Sequence, residues 1–141
     1  MDDSRNQDGA ELGAGAILVA DDEDIVRNVM VQMLKKMGYE VFAVDNGADA
    51  IDVFRDNQNR IDLVIFDLTM PRMGGVELYE HIRGINPGIK TMLTSGQDAS
   101  PDIDQLRQAG VSAFIHKPFT LRDMREKIRG LLDTQVETAG N

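Results

Sequence analysis

The sequence predicts an α/β fold: a doubly wound parallel sheet of five strands with helices covering both faces. Three observations carry that expectation. Five short apolar runs alternate with five longer segments whose apolar residues recur at helical spacing. No internal repeat interrupts the alternation, and no second block of elements follows it. Reactive side chains are concentrated just after the apolar runs, where an open parallel sheet binds its ligands.

Taken in order, Ile17-Leu18-Val19-Ala20 is the first strand. Asp24 is expected to cap the helix after it, with Ile25, Val26, Val29, Met30, Met33, Leu34 and Met37 on one face and Gly38 ending it. Val41 to Val44 forms the second strand, and Asn46-Gly47 turns the chain into a helix carrying Ala50, Ile51, Val53 and Phe54. The third strand is residues 61–66. After Pro71 and Gly74-Gly75 comes a helix with Val76, Leu78, Tyr79, Ile82 and Ile85, broken by Asn86-Pro87-Gly88. Ile89 to Thr94 is the fourth strand. A weaker helix from about Asp102 to Ala109 buries only Ile103, Leu106 and Ala109, and Val111 to Ile115 is the fifth strand. The last helix runs from about Leu121 to Leu132, with Leu121, Met124, Ile128, Leu131 and Leu132 inward. Residues 1–15, polar and rich in Gly, Ala and Asp, read as a disordered tail or linker; residues 16–132 form one domain, and 133–141 a second polar tail. Gly13-Ala14-Gly15 precedes the first strand, the wrong side for a phosphate loop.

Composition narrows the function. A length of 141 residues and an apolar fraction of 42% fit one soluble domain. No run approaches the ~20 apolar residues of a membrane span, and the start lacks the pattern of a secretory signal, so neither membrane insertion nor export is expected. With no cysteine, disulfides and thiolate metal sites are excluded, which fits a cytoplasmic location. A formal charge of −9 argues against direct contact with nucleic acid. The basic residues Arg122, Arg125, Lys127 and Arg129 are interleaved with Asp123 and Glu126, as on a solvated helix face.

The strand ends carry the chemistry. The first ends in Asp21-Asp22, the third in Asp67, the fourth in Thr94-Ser95-Gly96, and the fifth leads to Lys117-Pro118. Asp45 ends the second strand, which is peripheral. If the first and third strands are neighbours, their ends lie roughly 5 Å apart. Three carboxylates so placed repel one another unless a cation joins them or some take up protons. An all-oxygen set with one or two direct carboxylates suits Mg2+. No His or Cys indicates zinc. Ser95 and Lys117 add donors for phosphoryl oxygens, and an Asp carboxylate can attack phosphorus to give an aspartyl phosphate. Asp67 is the expected nucleophile. Ser95 is preferred to Thr94 as the hydroxyl, Thr94 being read as a strand residue. Glu23 is read as a first-turn acid that complements the helix dipole, and His81 and His116 as surface residues.

Asp21-Asp22, Asp67-Leu68-Thr69-Met70-Pro71, Ser95-Gly96 and Lys117-Pro118-Phe119 follow one another in register across residues 16–132. In this the chain resembles a receiver domain of the two-component response regulators. The resemblance implies a flavodoxin-like (βα)5 fold with strand order 2-1-3-4-5. It implies that Asp67 is the phosphoacceptor, that Asp22, Asp67 and the Thr69 carbonyl hold Mg2+, and that Asp21 acts through a bridging water. Ser95 would meet the phosphoryl group and Lys117 would pair with it, with Lys117-Pro118 in the cis form. Phe114 would be the aromatic switch, and Thr69 and Gln97 would tune hydrolysis of the acyl phosphate.

The implied function is to accept a phosphoryl group from the phosphohistidine of a sensor histidine kinase or phosphotransfer protein. Such a domain catalyses its own phosphorylation and dephosphorylation without being an enzyme in the ordinary sense. Its output is a changed surface on the fourth helix, fifth strand and fifth helix, read by a downstream protein target. The chain would be a stand-alone regulator or the receiver of a hybrid histidine kinase; Leu93-Thr94-Ser95-Gly96 and residues 1–15 lean towards the hybrid. Two rivals are weighed. A hydrolase of the haloacid dehalogenase type places a second Asp where this chain has Thr69. A receiver-like interaction module that is never phosphorylated would not need the complete set of Asp21, Asp22, Asp67, Ser95 and Lys117.

Overall fold

The computed structural model describes residues 15–97 and 99–140, with side chains to residue 132. The strands are β1 (Ala16–Ala20), β2 (Glu40–Val44), β3 (Ile61–Asp67), β4 (Lys90–Ser95) and β5 (Ala113–His116). The helices are α1 (Asp24–Lys36), α2 (Gly47–Asn57), α3 (Gly75–Ile85), α4 (Pro101–Ala109) and α5 (Leu121–Gly140). All strands pair in parallel, in the order β2-β1-β3-β4-β5, the flavodoxin-like order expected.

Each strand sends alternate side chains to opposite faces. Ile17 and Val19 of β1 join Leu63, Ile65, Met92 and Ile115 beneath α1 and α5, where Met30, Leu34, Met124 and Ile128 are fully buried. Leu18 and Ala20 join Val64, Phe66 and Leu93 beneath α2, α3 and α4, packed by Phe54, Leu78, Ile82, Ile103 and Leu106. All five residues of β1 are buried, as the continuous apolar run requires of a central strand. The chain order places β1 and β3 side by side with Ala20 opposite Phe66, so the residues that follow each strand emerge together.

The helix ends follow local chemistry. Asn46 caps α2 by accepting a hydrogen bond from the Asp49 N–H, and Ser100 caps α4 by accepting from the Ile103 N–H. Gly38, at φ 100°, takes the left-handed conformation that closes α1, with Tyr39 N–H returning to the Leu34 carbonyl.

Four expectations need correction. Asp24 does not cap α1: it is the first helical residue and pairs with Arg27, while Glu23 occupies the cap position without a capping side chain. Ile25 and Val29 are not core; they are 80% and 50% exposed, because seven residues span too wide an arc for one helix face to bury. Leu121, at the first turn of α5, is not core either and is 45% exposed. Finally, α5 does not stop at Leu132. The apolar stripe ends there, but the helix continues to Gly140, since no Pro or Gly intervenes to break it. The tail reading of residues 1–14 and of Asn141 lies outside the described residues.

Candidate functional site

β1 and β3 deliver the acids. Asp21 N–H donates to the Val44 carbonyl at 3.1 Å, which prolongs the sheet by one residue and fixes the backbone beyond β1. The Asp21 side chain is fully buried, and its Oδ1 accepts from the Glu23 N–H at 2.8 Å. Arg27 donates to the Asp21 carbonyl at 2.8 Å and ties the first turn of α1 to the same point. Asp22 is exposed at the rim. Asp67 is 5% exposed, and the Thr94 hydroxyl on β4 donates to its Oδ1 at 3.4 Å. Gly75 lets α3 approach: a Cβ there would lie 2.9 Å from the Asp67 carbonyl oxygen. The loop between Asp67 and α3 is thereby held close, with Gly75 N–H donating to the Leu68 carbonyl at 2.8 Å.

β4 and β5 deliver the donors. Ser95 is buried, and its Oγ accepts from the Gln97 N–H at 2.9 Å, so its own proton is left to donate elsewhere. Lys117 N–H donates to the Ser95 carbonyl at 2.7 Å, and the Lys117-Pro118 peptide is cis. The Lys117 Nζ lies 2.8 Å from Glu23 Oε1, 3.0 Å from Asp21 Oδ2 and 3.3 Å from Asp67 Oδ1. The contact to Asp21 Oδ2 is electrostatic, because that buried oxygen has no hydrogen-bond partner of good geometry.

Carboxylate oxygens of Asp21, Asp22 and Asp67 approach within 4.8 Å of one another. This set fits a hard divalent cation, since it is all oxygen, partly open to water, and includes the unsatisfied Asp21 Oδ2. Burial pushes the Asp67 carboxyl up to about 6; Lys117 opposes the shift, while Asp21 and Asp22 add to it. Burial alone would lower the Lys117 pKa, but the carboxylates of Glu23 and Asp21 outweigh it and raise the ammonium above its ordinary value. The site is therefore short of positive charge, and its acids are held together at a cost.

Among the residues singled out from the sequence, the structure brings Asp21, Asp22, Asp67 and Lys117 into one cluster. Ser95 adjoins it but is turned to its own loop. Thr69 and Gln97 are exposed at the strand ends. Phe114 is half-buried, with the Arg107 guanidinium 4.9 Å from its ring centre. His81 is exposed and lies 3.9 Å from Glu77, and His116 is exposed on β5. Sequence reasoning missed two contacts. Glu23 reaches Lys117 instead of merely complementing the helix dipole, and Thr94 touches Asp67 instead of serving only as a strand residue. Glu23 directly follows two site acids, which is the one signal that pointed to it.

Residues 17–129 match the family described as "Response regulator receiver domain". The chain belongs to that family. This receiver is 38% identical over 119 residues to the "Response regulator receiver protein CpdR" of Brucella abortus, spanning 82% of this chain and 95% of CpdR. It is 29% identical to the "Sensor kinase CckA" of the same organism, covering 87% of this chain but 13% of the kinase. Among solved structures, the receiver domain from the hybrid histidine kinase CckA superposes with a TM-score of 0.71 at 32% identity, covering 84% of this chain and 99% of that one. A CheY-like receiver from Methanospirillum hungatei JF-1 gives 0.79 at 30% identity, covering 88% and 98%. The chain thus has the CheY-like fold of two-component signalling. Receivers of this family bind Mg2+ at an acidic pocket and work with histidine kinases or phosphotransfer proteins. No helix among the described residues is long and apolar enough to cross a membrane.

Proposed function

We propose that residues 16–132 act as a phosphoacceptor switch in which Asp67 takes a phosphoryl group from phosphohistidine. One observation carries the reading: the ammonium of Lys117 and the carboxylates of Asp21 and Asp22 converge on Asp67 at the end of a central strand. An Asp67 oxygen forms the O–P bond as the donor's P–N bond breaks, and the electron pair leaves with the imidazole nitrogen. Asp22, Asp67 and the Thr69 carbonyl would hold Mg2+, with Asp21 acting through a water; the ion supplies positive charge to phosphoryl oxygens. Lys117 contributes a second positive charge in a buried setting, where it acts more strongly than in water. Ser95 moves to meet the phosphoryl group and donates its free hydroxyl proton to it. Phe114 then turns into the space released, and the surface of α4, β5 and α5 changes for a downstream protein target. Hydrolysis returns the switch when water attacks phosphorus and the P–O bond to Asp67 breaks. Thr69 and Gln97 stand at the exposed rim where that water would pass.

The donor needs a seat beside the site. A groove of about 450 Å³ lined by Ile25, Val26, Val29, Pro118 and Phe119 runs from Lys117, and Ile25 and Val29, the two most exposed large apolar residues among the described side chains, lie in it. This strip is the proposed contact for the kinase or phosphotransfer protein, because it is an exposed apolar surface that adjoins Lys117 of the site. Against a hydrolase of the dehalogenase type stands Thr69 in place of a second Asp. The test is transfer of labelled phosphate from a phosphorylated histidine donor in Mg2+. Label moving to the wild type but not to Asp67→Asn supports the reading; no label on either refutes it.

A further inference from the structure

The Lys117 ammonium lies among three carboxylates, and the hydrogen bond of good geometry that it donates goes to Glu23. One partner must be given up when Lys117 turns to a phosphoryl oxygen. Asp21 is fully buried, so bulk water cannot take over its solvation if Lys117 leaves it. Asp67 is the group being modified. Glu23 makes the shortest of the three contacts, yet its side chain is 57% exposed, so water can take over its solvation when it lets go. It reaches Lys117 from across the sheet, 94 residues away in sequence, and caps no helix end that would otherwise explain its position.

We propose that Glu23 is a displaceable tether that occupies Lys117 in the unphosphorylated receiver and opposes phosphorylation until it releases. This rests on the phosphoacceptor reading of Asp67 and adds a positioning residue to it. A contact present only in the unphosphorylated state biases the equilibrium towards that state by its own free energy. For a pair exposed on one side this corresponds to about two- to fivefold in the equilibrium.

The test compares wild type, Glu23→Gln and Asp24→Asn in the full chain. Asp24 is a neighbouring exposed acid that pairs with Arg27 and not with Lys117, so it controls for the lost charge. The first readout is the affinity for beryllofluoride, a phosphoryl mimic, in Mg2+, followed by NMR. The second is the steady-state fraction phosphorylated by acetyl phosphate. Glu23→Gln is expected to raise both by about two- to fivefold, with Asp24→Asn staying near wild type. Unchanged or weaker binding in Glu23→Gln overturns the tether, as does an equal gain in Asp24→Asn, which would make the effect one of net charge. A wild type that binds no beryllofluoride and takes no phosphate refutes the phosphoacceptor reading itself, a result distinct from either of these.

Discussion

Replacing Asp67 by Asn should stabilise the metal-free protein, although Asp67 is the proposed centre of its function. A carboxyl whose pKa is higher in the folded chain than in the unfolded one binds its proton more tightly when folded. Its contribution to stability is fully present below the unfolded pKa and is lost as pH rises through the folded one. For Asp67 those limits are 3.8 and about 6. At about 1.4 kcal/mol per pH unit, the displacement sets a ceiling of about 3 kcal/mol, and residual solvent screening at the mouth of the site reduces the expected value to about 1–2 kcal/mol. Lys117 keeps Asp21 and Glu23 as partners in the variant, so no charge is orphaned. Urea unfolding in EDTA at pH 7.5 should place the Asn variant above wild type by that amount, and the difference should shrink towards zero near pH 4. Added Mg2+ should then stabilise wild type more than the variant, since a ligand of the native state raises stability by mass action. A variant that is less stable than wild type at pH 7.5, or a difference independent of pH, would refute the picture of a charge-strained site.

Three further outcomes are expected. Gly75→Ala should destabilise by about 1–3 kcal/mol in urea unfolding, because its Cβ would press on backbone atoms of Asp67 and Leu68 that cannot swing aside. Asn46→Ala should cost about 1 kcal/mol in the same assay through loss of the α2 cap. The double substitution of Ile25 and Val29 by Ser should leave stability within about 0.5 kcal/mol of wild type, since both are exposed. It should also leave labelling by acetyl phosphate intact while slowing phosphotransfer from a histidine donor at least several-fold; equal slowing with both donors would remove the docking strip.

The alternation of apolar runs revealed the fold, because buried parallel strands need continuous apolar stretches and each crossover needs an amphipathic helix. Strand ends then located Asp21, Asp67 and Lys117, since a charge closing a buried run has few places to go. Side-chain direction was less legible. A helical wheel counts Ile25 and Val29 with Met30 and Leu34, and only the packing of α1 on the sheet shows which arc is covered. Glu23 looked like a dipole acid because its partner lies just beyond another strand, and a contact across 94 residues leaves no local pattern. The end of α5 was misplaced because the apolar stripe and the helix do not end together.

The most direct measurement is the mass of the peptide containing Asp67 after incubation with acetyl phosphate and Mg2+, with the acyl phosphate trapped by borohydride. The account predicts the reduced residue at position 67 in wild type, its loss when Mg2+ is chelated, and its absence in Asp67→Asn. Modification at another aspartate, or none under any donor, would contradict the assignment of Asp67 as the phosphoacceptor.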